Sequence, residues 1–204
     1  MTHDNEILEY WFEGITDRAT IDQRALPFRK WFTKDKQLDR EIKEKFAADL
    51  LQARQGQHKN WEKSRRGLLA LIILFDQFSR HMYRNTAKMF ENDSLALDLS
   101  LRSINEKLED QLQLIERMFF YMPLMHCEAL DIQKISLQCF EQLLSEAKQK
   151  HPQNAAYYEY NFHYAQKHYA VIEKFGRFPH RNIFFNRVSS LEELEFLRKG
   201  QASF

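Results

Sequence analysis

An uninterrupted run of eight apolar residues, from 68 to 75, constrains the fold of this chain more than any other feature. The run lies in residues 64–84, SRRGLLALIILFDQFSRHMYR. A helix that is apolar on every side must be enclosed by other elements. Asp76 and Arg80 follow on one helical face, and burying such an ion pair is costly unless both charges are satisfied. We therefore predict a central helix over about residues 65–82, surrounded by other helices, with a polar cluster where it ends.

The rest of the chain favours an all-α fold of about seven to nine antiparallel helices in one domain, residues 1–204. Apolar residues recur on one face in residues 5–13, 35–54, 93–107, 128–150 and 154–175, and residues 110–122 are apolar enough to form a further, largely enclosed helix. Four of the five glycines follow predicted helices, as is typical of helix ends, and Gly67 inside the central helix indicates close helix approach. Ser190 and Glu193 form a capping box before a last helix, about residues 191–198. We expect Pro123 to end a helix and residues 16–32 to form an irregular connection.

The composition narrows the class of protein and its partners. With 30 Lys and Arg residues against 29 Asp and Glu residues, the net charge is +1, so we expect no nucleic-acid partner. The longest apolar run is shorter than the roughly 20 residues that a membrane-spanning helix needs, so we expect a soluble protein with no membrane partner. The two cysteines form no CxxC pair, and the N-terminus is acidic rather than signal-like, which favours a cytoplasmic location.

The first candidate for a functional site is the polar group at the end of the central helix. Arg80 could hold a carboxylate or a phosphate in its planar fork, while Asp76 and Gln77 form hydrogen bonds in the same pocket. The structural alternative is an internal ion pair between Asp76 and Arg80 that fixes the register of the helix. Either interpretation requires this end of the helix to be enclosed.

The second candidate is the corner between two predicted helices at residues 123–128, PLMHCE. His126 and Glu128 could serve as base and acid or as metal ligands, and a helix start would favour a thiolate at Cys127. The alternative for Glu128 is a carboxylate that interacts with the helix dipole. His168, on the apolar face of the predicted helix 154–175, is a further catalytic candidate, and its alternative is a hydrogen-bonded core histidine.

The last candidate is the segment 175–182, FGRFPHRN, which places Arg177, His180, Arg181 and Asn182 around a glycine and a proline. Such a loop could bind an anion, and the alternative is a rigid turn whose arginines satisfy helix-end carbonyls. The sequence contains no HExxH, GxxxxGK[ST], GxSxG or GxGxxG motif. It therefore identifies neither a cofactor nor a set of metal ligands.

Three long stretches, LALIILFDQFSRHMYR, FFYMPLMHCEALDIQ and FGRFPHRNIFFNRVSSLEELEFL, resemble the bacterial family known as domain of unknown function 924. The resemblance extends over nearly the whole chain and implies an all-helical, tetratricopeptide-like fold, although no 34-residue tetratricopeptide motif is recognisable. By the same resemblance, the polar motif positions of the family, which carry no established activity, are Asp76, Gln77, Arg80, His126, Glu128, Gln133, His168, Arg177, His180, Arg181 and Asn182. Cys127 stands where the family usually has Ser, which weakens the idea of a Cys127 nucleophile.

We therefore expect a binding protein whose polar pocket recognises a small anionic ligand or a peptide terminus through Arg80, Arg177 and Arg181. A rival hypothesis is a hydrolase that uses the remaining candidates around a divalent metal or a water molecule, namely His126, Glu128, His168 and His180. A third hypothesis is an interaction scaffold in which the polar cluster only stabilises the fold. The oligomeric state is left open by the sequence.

Overall fold

The described residues form α-helices joined by short connections and contain no β-strand. A computed structural model describes residues 3–21 and 26–200. The helices are α1 (His3–Phe12), α2 (Leu26–Phe32), α3 (Lys36–Arg54), α4 (Arg65–Ile72), α5 (Ser79–Met82), α6 (Asp93–Asn105), α7 (Leu114–Met125), α8 (Leu130–Lys150), α9 (Ala155–Phe175) and α10 (Leu191–Arg198). Short 3₁₀ turns occupy Lys59–Lys63, Ala87–Phe90, Glu109–Gln111, Pro152–Asn154 and Pro179–Arg181. The all-α prediction is confirmed.

The central helix consists of α4, a π-helical segment (Ile73–Phe78) and α5 in direct succession. Every residue from 67 to 79 is buried. Helices α1, α6 and α7 pack against α4, while α3 packs against the π-helical segment and α5. The predicted central helix over residues 65–82 is therefore confirmed, and its apolar run is enclosed by neighbouring helices.

The π-helical segment widens the central helix at the point where its sequence turns polar. The backbone N–H of Ser79 donates to the carbonyl of Leu74, five residues earlier. Asp76 and Gln77 lie in this segment, and both side chains are buried. Such π-helical insertions occur frequently at functional sites. Nothing in the run of apolar residues predicted this π-helical segment.

The start of the central helix lies against the preceding 3₁₀ turn. The Ser64 hydroxyl accepts from the backbone N–H of Gly67 at 3.0 Å and so caps α4. A Cβ atom at Gly67 would lie 2.8 Å from the carbonyl carbon of Trp61 and closer still to its oxygen. The close approach at Gly67 is therefore made by the preceding 3₁₀ turn rather than by a packed helix, as the sequence had suggested, and no larger side chain fits there without a shift.

Two boundary predictions differ from the structure. Pro123 lies inside α7, which continues to Met125. The Gln133 side chain donates to the carbonyls of Met125 and Cys127, both at 2.7 Å, so the end of α7 is capped from α8 and needs no proline stop. The connection expected over residues 16–32 contains α2, whose Pro27 falls in the first turn, where a helix tolerates proline. Residues 22–25 of that connection lie outside the described part.

The C-terminal half of the chain forms the walls that position the polar side chains. Helix α8 packs against both α7 and α9, and α9 ends at Gly176, whose φ of +67° provides the left-handed cap. The capping box of Ser190 and Glu193 begins α10 as predicted. Within the described residues, no helix is long and apolar enough to cross a membrane.

Candidate functional site

A cavity of about 390 Å³ lies where the central helix, α2, α7, α9 and the turn after α9 meet. Its walls carry aromatic and methionine side chains together with a set of polar groups. The lining residues are Phe28, Trp31, Phe32, Gln77, Arg80, Met89, Phe90, Met122, Met125, His126, Tyr160, Asn161, Tyr164, His168, Phe178, His180 and Arg181.

The exposure of the cavity lining changes along α9. Tyr160 and His168 both line the cavity and are eight residues apart, a distance of about 12 Å along a helix axis. The exposed fraction of Tyr160 is 48%, and that of Phe32, a lining residue from α2, is 47%. His168, by contrast, is 7% exposed. The cavity is therefore accessible near Tyr160 and buried near His168, where aromatic and polar side chains meet.

Asp76 is the centre of the polar end. Its Oδ1 atom accepts from the Arg80 guanidinium at 3.0 Å and lies 2.6 Å from His126 Nδ1. The Gln77 amide donates to the other carboxylate oxygen. Asp76 itself is fully buried. The predicted ion pair of Asp76 and Arg80 is thus confirmed, and the structure adds His126 from the end of α7 to the same carboxylate.

Asp76 is ionised and His126 is neutral at neutral pH. Burial alone would raise the pKa of Asp76, but the positive charge of Arg80 and the hydrogen bonds from His126 and Gln77 lower it well below the usual range. Burial lowers the pKa of His126, although the negative charge of Asp76 opposes this effect. An ionised carboxylate only accepts, so His126 Nδ1 carries the hydrogen and Nε2 is the acceptor.

Asp93, at the start of α6, is a second carboxylate in the network. It lies 3.2 Å from Arg80 Nη2 and 3.3 Å from Arg181 Nη1. The Arg181 guanidinium also donates to the carbonyl of His126 at 2.9 Å and lies over the rings of Phe90 and Phe178. Burial lowers the pKa of Arg181 to about 10, which still leaves it charged at neutral pH.

The other two histidines of the cavity are also neutral. Burial, followed by the nearby positive groups, lowers the pKa of His168 to about 3 and that of His180 to about 4. His168 Nδ1 lies 2.9 Å from the carbonyl of Tyr164, and its ring lies 6.2 Å from that of His126. The formal charge of the network is therefore set by two aspartates and two arginines, and it sums to zero.

Four of the predicted site residues lie away from the cavity and stabilise the turn and helix ends around it. Glu128 accepts from the Arg187 guanidinium and from the backbone N–H of Phe178, while Gln133 caps α7. Arg177 pairs with Glu193, and Asn182 donates to Ser189. The remaining predicted residues line the cavity or complete its network: Asp76, Gln77, Arg80, His126, His168, His180 and Arg181. Ligand binding by any of these residues stays a prediction.

The thiol of Cys127 lacks the environment that the sequence suggested. Helix α8 begins at Leu130, so Cys127 is not at the helix start, and burial raises the pKa of its thiol. A protonated, partly buried thiol is a poor nucleophile. Within the described residues, no group of three or more His, Cys, Asp and Glu side chains is arranged to hold a metal ion.

The sequence interpretation missed Asp93 and most of the aromatic wall. Asp93 occupies the first turn of α6, where an acidic residue needs no explanation beyond the helix dipole. Phe90 and the aromatic residues of α2 lie in segments without helical periodicity. The roles of these residues follow from contacts with residues that are distant in the sequence. A single sequence does not identify those contacts.

The comparisons with known proteins agree with this fold. A solved structure of a protein of unknown function, ATU0120 from Agrobacterium tumefaciens, superposes with a TM-score of 0.78 at 27% identity, over 97% of each chain. No curated protein matches the chain. The family model described as bacterial protein of unknown function (DUF924) matches residues 7–201. The chain therefore belongs to this bacterial family, DUF924.

Proposed function

We propose that this protein binds a small monocarboxylate with an aromatic or branched apolar body in the cavity. The observation that carries the proposal is the lining of the cavity, which is accessible near Tyr160, is mostly aromatic and methionine, and includes two charged arginines. Its volume of about 390 Å³ is at the lower end of the 300–1,000 Å³ range that is typical of ligand sites. A single ring with a short acidic side chain suits this size.

The charges of the network favour a ligand with one negative charge. The arginines that were expected to attract an anion are already paired, Arg80 with Asp76 and Asp93, and Arg181 with Asp93. A phosphate would bring more negative charge beside the carboxylates of Asp76 and Asp93, which repel it. A guanidinium has five N–H donors, so Arg80 can donate to a carboxylate while its present hydrogen bonds persist. We assign the head group of the ligand to Arg80, the less buried of the two arginines.

A thermal-shift panel tests this binding function. The panel contains benzoate, phenylacetate, 3-phenylpropionate and octanoate, together with phenylacetamide as the uncharged control. A ligand at 100 times its dissociation constant stabilises a protein by about 2.7 kcal/mol, which for a chain of this size raises the Tm by roughly 5–10 °C. We expect an aromatic carboxylate to give such a shift and phenylacetamide to give a smaller one.

Two neighbouring variants locate the binding site. Met89 lines the cavity, whereas Lys88, the preceding residue, is exposed and does not. Met89→Trp fills the cavity and should abolish the shift, while Lys88→Trp should retain it. The binding function is rejected when no carboxylate shifts the Tm, or when Met89→Trp binds as well as the unmodified chain.

Three finer statements about the protein also stay proposals. The tetratricopeptide-like arrangement of the helices rests on the family resemblance, and the cytoplasmic location rests on the composition. A single domain over the whole chain rests on the sequence pattern. None of them is needed for the binding function, which depends only on the cavity.

A further inference from the structure

His126 is positioned as a base at the buried end of the cavity. Its Nδ1 atom lies 2.6 Å from Asp76, so the carboxylate fixes the orientation of the ring and the position of the hydrogen. His126 lines the cavity, and the described residues make no hydrogen bond to its Nε2 atom. The lone pair of Nε2 is therefore available to a ligand or a water molecule.

A buried carboxylate that orients a neutral histidine is the arrangement by which many hydrolases activate a nucleophile. The lining residues of this cavity include no serine, threonine or cysteine that could be that nucleophile. Water is then the remaining group that His126 can deprotonate. Glu128, the acid that the sequence suggested beside His126, is bound to Arg187 and Phe178 instead.

We propose that the cavity is an esterase site, in which His126, oriented by Asp76, activates water to hydrolyse an ester of a small aromatic or branched carboxylic acid. This inference rests on the proposed function, because the monocarboxylate that the cavity binds is the acid product of the reaction. His126 is the catalytic residue and Asp76 is a positioning residue. The guanidinium of Arg80 donates to the same carboxylate oxygen of Asp76 that His126 contacts, so its positive charge lies close to the catalytic residue.

The steps balance without a further reactant. Nε2 takes a proton from water while the water oxygen forms a bond to the ester carbonyl carbon, and the π electrons move to the carbonyl oxygen. The tetrahedral intermediate then re-forms the carbonyl and breaks the bond to the alkoxide, which receives the proton from the His126 imidazolium. The products are one carboxylic acid and one alcohol, and His126 returns to its neutral form.

The groups that face His126 determine how the reaction depends on pH. Asp76 and Arg80 come from the central helix, and Asp93 comes from α6. His168 comes from α9, and His180 and Arg181 come from the turn after it. Burial lowers the pKa of His126, so the rate should rise with a midpoint below about 6.5 and remain high above it. Asp76→Asn removes the charge that favours the imidazolium, so it should lower this midpoint further as well as the rate.

Initial rates of hydrolysis of p-nitrophenyl phenylacetate and p-nitrophenyl butyrate test the inference. General base catalysis is typically worth about 10²–10⁴-fold, so His126→Gln should lose at least about 100-fold. The control is His163→Gln, because His163 is exposed on α9 and does not line the cavity. It should leave the rate unchanged. Phenylacetate should inhibit the reaction competitively.

Each outcome separates this inference from the binding function. When a carboxylate of the panel binds but neither ester is hydrolysed faster than in buffer alone, or His126→Gln keeps the rate of His163→Gln, the esterase inference is wrong and the binding function stands. When no carboxylate of the panel binds, the binding function fails, and the esterase inference, which rests on it, fails with it. If circular dichroism shows that His126→Gln does not fold, the hydrolysis rates of Met89→Trp and Lys88→Trp test the inference instead, because both variants keep His126 and Asp76. Equal rates in these two variants would overturn the inference.

Discussion

At the scale of single residues, Asp76 holds the polar network together. Its carboxylate is fully buried and bonds to Arg80, His126 and Gln77. Removing one partner of a buried ion pair leaves the other charge uncompensated, which typically costs about 3–5 kcal/mol. We therefore expect Asp76→Ala to lower the free energy of unfolding by that amount in urea denaturation. Asp98→Ala, an exposed position on α6, should change it by less than about 0.5 kcal/mol. A loss below about 1 kcal/mol for Asp76→Ala would contradict the described network.

His168 and His180 make the stability of the protein depend on pH. Their folded pKa values of about 3 and about 4 lie below the unfolded value of about 6.5, so between these values the unfolded chain binds more protons. Stability should therefore fall as the pH drops from about 6.5 to 4, by about 1.4 kcal/mol per pH unit for each histidine. His168→Gln should reduce this slope by the contribution of one histidine, about 1.4 kcal/mol per pH unit. His163→Gln, at an exposed position, serves as the control. Equal slopes in the two variants would show that His168 takes up its proton in the folded state.

At the scale of elements, the close approach at Gly67 is a direct test of helix placement. Gly→Ala inside a helix normally stabilises by about 0.5–1 kcal/mol, because alanine has less freedom to lose on folding. At Gly67 the added Cβ would meet the backbone of Trp61, so we expect Gly67→Ala to destabilise by about 1–3 kcal/mol. Chemical denaturation measures this difference, and a stabilising effect would mean that the turn and the helix are further apart.

The sequence predicted elements well where the signal was local. Periodicity located the central helix and α9, and the glycine and capping-box patterns located their ends and the start of α10. These local patterns failed where a contact with a distant residue determines the structure. One example is the end of α7, which is capped by Gln133 and not ended by Pro123. Asp17 shows the same limit, because it accepts from the backbone N–H groups of Leu114 and Ile115, which are 97 and 98 residues away.

The sequence predicted only part of the candidate site, because the rest depends on contacts between residues that are distant in the sequence. The pairing of Asp76 with Arg80 follows from their spacing of four residues on one helix. Glu128 and His126 are neighbours in the sequence, yet Glu128 binds Arg187 while His126 binds Asp76 from another helix. The partner that each side chain reaches depends on the backbone conformation of the corner after α7. No local sequence pattern specifies that conformation.

At the scale of the whole molecule, the segment after α9 closes the cavity from one side. It contributes three lining residues, Phe178, His180 and Arg181, and Glu128 anchors it through Phe178 and Arg187. We expect Glu128→Ala to speed amide hydrogen exchange in residues 176–198 and to leave residues 65–82 unchanged. Glu141→Ala, an exposed position on α8, is the control. Unchanged exchange in residues 176–198 would mean that other contacts suffice to hold this segment.

The crystal structure of the protein with phenylacetate tests the binding site most directly. The ring should lie among the aromatic side chains that line the cavity, and the carboxylate should lie within hydrogen-bond distance of the Arg80 guanidinium. A saturated crystal with phenylacetate bound elsewhere, or with none in the cavity, would contradict the proposed function.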